Sequence, residues 1–275
     1  MGKFGTTWQL MGTSWEVLKK DKELLLFPVL SGITCIGVLA TFIVPLVAGN
    51  LAESYLGTVG TIGATAIAFA YYFVSYTVMI FFNSALIGCA VKRLQGGDPT
   101  IGDGFSIAFK RLPQILGWAA VSATVGMFFH ALERHKLVGQ IVAAILGTAW
   151  AMMAFFAVPI LVVEGKGPFA ALKESAGLLK QTWGGQVRGG FSFGLIVFVL
   201  ALPLIGIVAL GAAAGNPTVL LVCIGVAGVA FVALAVVHSA LYAIFQAALF
   251  LHARGEARID GFDKDMLQMA VLNAA

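Results

Sequence analysis

Six stretches of the chain run apolar on every face at about the 20-residue length that a helix needs to cross a bilayer: 24–48, 59–91, 113–131, 137–163, 187–213 and 218–251. Apolarity on all faces, with no alternation of polar and apolar positions, predicts helices and not the strands of a membrane barrel. The second and sixth stretches exceed the bilayer thickness, so they must tilt or project from it. Pro28 and Pro113 fall near helix starts, where a missing N–H costs little, whereas Pro45, Pro159 and Pro203 lie inside apolar runs and predict kinks.

Shorter amphipathic segments separate these runs. Phe4, Trp8, Met11, Trp15 and Leu18 recur at three- and four-residue spacing, as do Phe169, Leu172, Ala176, Leu179 and Trp183. Segments opening at Phe105 and Phe262 follow the same layout. Such helices are too polar to span and too apolar to leave the interface, so they should lie along the membrane surface. The second, fourth and sixth runs also end alike, in Ile80-Phe81-Phe82-Asn83, Ala154-Phe155-Phe156-Ala157 and Ala243-Ile244-Phe245-Gln246. The expected fold is therefore an all-α integral membrane protein, one domain over 1–275. Its six spans form three hairpins, each preceded by a cytoplasmic amphipathic helix, in repeat units of about 4–94, 99–166 and 168–254. A last surface helix would occupy 262–275. Convergent patterning of similar membrane helices would produce the same weak likeness.

Charge supplies the orientation. Fifteen of the seventeen Lys and Arg fall into four clusters: Lys3 to Lys22, Lys92 to Arg111, Lys166 to Arg188, and Arg254 to Lys264. Only Arg134 and Lys136 stand apart. The positive-inside rule then puts an even number of crossings between clusters and both termini in the cytoplasm. A chain that is 60% hydrophobic and 11% charged could not cover a water-exposed surface. Its net charge of +4 flanks apolar runs without an aromatic-studded stripe, so anionic headgroups are the expected partner and nucleic acid is not. The first run is longer than a signal-peptide core and is expected to remain as a span.

Candidate chemistry is sparse. Tyr72, Tyr76, Met79 and Asn83 share one face of the second run, and His238, Tyr242 and Gln246 share a broad face of the sixth. If the two helices meet, these residues form a polar seam, which either lines a path or bonds across helices for packing. Gly139, Ala143, Gly147 and Ala151 make a small-residue ladder suited to close helix contact. The thirteen acids sit in loops, surface segments or span ends. Together with the missing hydrolase, nucleotide and zinc-protease motifs, this leaves no catalytic residue, metal site or cofactor to nominate. Cys35, Cys89 and Cys223 lie in apolar runs without CxxC spacing and read as small hydrophobes.

The opening Trp8-Gln9-Leu10, Ser14-Trp15, the run from Leu18 to Pro28, and Leu30-Ser31-Gly32 resemble a prokaryotic family of uncharacterised multi-pass membrane proteins. The resemblance implies an inner-membrane location and a helical fold, and it carries no activity. The surface-helix-plus-hairpin layout is also similar to the membrane region of some glycerophosphodiester phosphodiesterases, whose catalytic barrel has no counterpart here. Two functions follow as expectations. One is a channel, transporter or lipid-handling protein with a path between the hairpins. The other is a scaffold, homo-oligomeric or bound to a protein partner, that docks through Phe4, Trp8, Trp15, Phe105, Phe169 and Trp183.

Overall fold

The computed structural model describes residues 3–48, 51–134, 136–256, 258–263 and 267, and of these the side chains of 3–7, 45–48, 51–59, 61, 136, 181–193 and 195–196 stay outside the description. Helices make up nearly all of the described chain. They are α1 (Lys3–Lys20), α2 (Leu26–Ala48), α3 (Leu51–Leu94), α4 (Ile101–Lys110), α5 (Leu112–Glu133), α6 (Lys136–Met153), α7 (Ala157–Glu164), α8 (Pro168–Ala213) and α9 (Pro217–Ala253). A 3-10 turn over Lys22–Leu25 joins α1 to α2. No strand occurs among the described residues; Ile259 and Phe262 make one isolated bridge.

Among the described residues five helical stretches have the length and apolarity to cross a membrane: Lys22–Val44, Ile62–Leu94, Leu112–Glu133, Leu137–Glu164 and Pro217–Ala253. These several long apolar helices fit a membrane protein. Of the predicted fifth span, 187–213, the described apolar part is Val197–Ala213, and the remainder falls largely on side chains outside the description. Ile62–Leu94 begins just after Gly60, whose φ of 61° breaks α3 at a backbone conformation natural to glycine.

The chain divides into two compact units. One comprises Met1–Leu25, Ala90–Asp98 and Thr182–Ala275; the other comprises Leu26–Cys89 and Pro99–Gln181. In the first, α1 packs along α9, and its Leu10, Ser14, Val17 and Leu18 are buried, Val17 beside Gly261. The Arg93 guanidinium donates to both oxygens of the Asp21 carboxylate and also to Asp98, tying the end of α3 to the turn after α1. The segment after α9 crosses the same end: the Asp260 N–H donates to Leu94 O at 2.7 Å, and Gln95 bonds Glu256 at 3.1 Å. At the opposite end of α9, Asn216 Oδ1 accepts the Thr218 N–H at 2.9 Å and caps the helix. There α8 comes so close that a Cβ on Gly211 would lie 2.7 Å from that of Cys223.

Helix α9 is solvated differently along its length. Leu221, Val222, Val229, Phe231 and Val232 are all more than half exposed, whereas nearly every residue from Ala240 to Leu251 is buried. Of the segments that end alike, Phe155–Ile160 and Ala243–Leu249 are buried throughout, whereas Phe81, Phe82 and Asn83 are half-buried and full burial begins at Ser84.

In the second unit, α4 starts from a capping box in which Thr100 and Asp103 bond each other's backbone N–H. Its Gly104 lies so close to Phe27 and Cys89 that no side chain fits between them. Phe27, Phe81, Phe82 and Phe109 surround Phe105 at centroid distances of 5.9 to 6.5 Å. α5 packs on α6, with Trp118 stacked on Trp150 at 5.6 Å and the ladder residue Ala143 buried.

The predicted fourth span is not one straight helix. Residues 154–156 form a turn between α6 and α7, because Pro159 has no N–H to give the Phe155 carbonyl and its ring crowds that carbonyl. The Phe156 N–H donates instead to the buried Ser175 Oγ of α8 at 2.9 Å. At the other end of α7, Arg111 Nε donates to Val162 O at 2.9 Å and Gln114 Nε2 donates to Gly165 O at 3.2 Å, so two side chains of the α5 start cap the exposed carbonyls. Pro203, by contrast, lies inside α8 without ending it. The third amphipathic segment and the fifth apolar run are likewise one continuous backbone helix, α8, instead of the separate surface helix and span that the sequence predicts.

Replacing Ser175 by Ala should remove the hydroxyl that accepts the Phe156 N–H in a buried site, lowering stability by about 1–3 kcal/mol. Thermal unfolding of the purified protein in detergent measures it.

Candidate functional site

The amphipathic pattern of α1 yields two stripes. Leu10, Ser14, Val17 and Leu18 are buried, and the Ser14 hydroxyl turns back onto Leu10 O at 2.9 Å, so a small polar residue is buried with its donor satisfied. Trp8 and Trp15 lie on the other stripe, 68% and 44% exposed. Leu18, predicted to share their face, belongs to the packed one. Phe4 and Trp183 lie among the side chains outside the description, as does most of the predicted 262–275 helix. Phe262, predicted to open that helix, is buried beside Ile259 in a turn.

Beside the exposed stripe lies a cavity of about 310 Å³. Helix α1 contributes Trp8, Met11, Gly12 and Trp15 to its wall, and α8 contributes Val197 and Leu200. Leu234, Val237, His238 and Leu241 come from α9. Their spacing puts Leu234, His238 and Leu241 on one face of α9, and the wall is almost wholly hydrocarbon and indole. A cavity so lined holds no charged ligand stably; it suits an apolar chain, with the His238 imidazole as its titratable wall residue. His238 lies 6.0 Å, centroid to centroid, from Tyr242, which is half-buried, while Gln246 one turn further is buried.

Two predicted sets thereby converge: Trp8 and Trp15, nominated for a surface face, share one cavity with His238, nominated for a polar path. Asn83, Tyr72 and Tyr76 belong to the other unit, where Tyr72 stacks on Tyr76 at 6.3 Å and Asn83 is half-buried. Phe105 turns into the aromatic cluster beside Phe27, and Phe169 is 75% exposed. Gly12, Val197 and Leu200 were not foreseen, and the sequence places Met11 only in the apolar stripe of the first segment. For Met11 and Gly12 the available signal was their position between Trp8 and Trp15; nothing in the local pattern marks Val197 or Leu200. No group of His, Cys, Asp and Glu suited to holding a metal occurs among the described residues.

A Cβ on Gly12 would meet no atom within 4 Å. Gly12→Ala should therefore be accommodated and should raise stability by about 0.5–1 kcal/mol through better helix propensity, read as a higher melting temperature.

No curated protein matches the chain. A family model described as "Family of unknown function (DUF6159)" matches residues 61–259, from just beyond the Gly60 break to the bridge at Ile259, in keeping with the resemblance to an uncharacterised family. With most of its 275 residues matched, the chain belongs to the DUF6159 family.

Proposed function

We propose that the chain is a non-enzymatic lipid-handling protein of the prokaryotic inner membrane, with six spans, both termini in the cytoplasm, and a binding site for one acyl chain between α1, α8 and α9. The observation that carries this reading is the cavity, whose wall of indole, thioether and aliphatic side chains excludes a hydrated ion path and matches hydrocarbon. Its level fits as well. The exposed part of α9, about 217–239, is roughly 35 Å long at 1.5 Å per residue, close to the hydrocarbon thickness. That length sets His238 near the inner edge of the bilayer, which is also where the indoles of Trp8 and Trp15 are most stable. An acyl chain from the cytoplasmic leaflet would need only a short lateral move to enter.

The repeat gains support from burial. Leu10, Ser14, Val17 and Leu18 on α1 have the same spacing as Ala171, Ser175, Leu178 and Leu179 on α8, and all eight are buried. On α4 the buried pair Gly104 and Ala108 repeats the first interval.

Proteoliposomes containing a chain-labelled phosphatidylcholine should show protein-dependent movement of the label between leaflets. Gly12→Leu, which fills the cavity, should slow it by roughly tenfold, as 1–3 kcal/mol of steric exclusion predicts, with the circular dichroism spectrum unchanged. Equal rates for the two proteins would sink the acyl-chain site. Ion flux abolished by Asn83→Leu, His238→Leu and Gln246→Leu would favour a hydrated path instead.

A further inference from the structure

The cationic side chains near the start of α8 differ sharply in what engages them. Arg111 is spent on the carbonyls of Val162 and Val163, and Lys166 is held by Glu164 at 2.7 Å and by Glu174. Lys110 and Lys173 point outward and are exposed. Next to Lys110 stands Phe109, 60% exposed although its neighbour Phe105 is packed inward; four residues before Lys173 stands Phe169, 75% exposed. The contacts of Arg111 and Gln114 with Val162–Gly165, and the fit of Pro168 against Gly117, bring the end of α4 and the start of α8 to one end of this unit.

We infer that this end of the unit is an interfacial seat for anionic phospholipid: the rings of Phe109 and Phe169 enter the acyl boundary, and Lys110 and Lys173 pair with headgroup phosphates above them. Two large exposed aromatics would be a liability in water but are stable at the boundary of headgroup and chain. A lysine near an anionic surface strengthens binding by about 1 kcal/mol, or roughly fivefold. Arg111 and Lys166 contribute less because the guanidinium is hydrogen-bonded to backbone carbonyls and the ammonium is paired with two carboxylates. The seat is independent of the acyl-chain cavity, which lies in the other unit.

The test uses the full-length protein in nanodiscs of phosphatidylcholine and phosphatidylglycerol in equal parts, with the lipids retained after mild detergent extraction counted by mass spectrometry. Wild type should be enriched in phosphatidylglycerol. The Lys110→Gln/Lys173→Gln double variant should lose that enrichment by about twentyfold, two lysines acting together. Phe109→Ala/Phe169→Ala should reduce retention of both lipids alike, because the rings read chains and not headgroups. Equal retention of the two lipids by wild type, an unchanged ratio in the lysine variant, unchanged retention in the phenylalanine variant, or displacement of phosphatidylglycerol by inorganic phosphate would each overturn the seat. Gly12→Leu should leave the ratio unchanged, which separates a failure here from a failure of the cavity.

Discussion

A peptide group left unpaired in an apolar surrounding costs several kcal/mol, and the architecture of this chain follows from avoiding that cost. Continuous helices do so for most of its length. The difficult place is the turn before α7, where Pro159 removes a donor and two helix ends are exposed in a buried region. Three polar side chains from other elements serve the two ends of α7. Ser175 takes the Phe156 N–H, and Arg111 and Gln114 take the last carbonyls of α7. These contacts fasten α7 to α5 and α8, so a local backbone defect becomes a tertiary joint.

The same economy explains which faces meet. Helices solvated by lipid gain nothing by burying large apolar side chains, since the lipid is equally apolar; they gain by close approach. Accordingly Ser14, Gly104, Ala108, Ala171 and Ser175 face other helices, while Trp8, Phe109 and Phe169 face outward. Large side chains are enclosed as well, aliphatics such as Leu18, Ile115 and Ile160 among them, and around Phe105 they are aromatics in edge and tilted contact with one another.

Much of this was legible in the residues. Helix starts fall one or two positions from the expected ones at Leu26, Leu112, Lys136 and Pro217, because a lipid-crossing helix is marked by a long apolar run whose ends are marked by charge or turn residues. The packed faces of α1 and α8 were less legible. The large apolar residues of these segments, Trp8 and Phe169 among them, mark an outward stripe, and nothing in the apolar pattern picks out the small polar Ser14 and Ser175 for the packed one. The cavity was half legible: the α9 face around His238 follows from helical spacing, but its pairing with Trp8 and Trp15 depends on α1 lying along α9 from the far end of the chain. No local pattern encodes that contact.

Helix α9 carries two kinds of selective demand on one backbone. Its first half is exposed at most positions from Val219 to Val232 and requires there only that the side chain be apolar, whereas Cys223, close against Gly211, and the buried Ala227 must stay small. From Ala240 to Leu251 each position has a defined volume, and exchanging Ala for Leu or the reverse would leave an overlap or a void. Drift should accordingly be permissive in composition along the first half and confined to shape-matched replacements along the second. The change from one regime to the other falls within about a turn of His238, the residue at which α9 passes from exposed to buried.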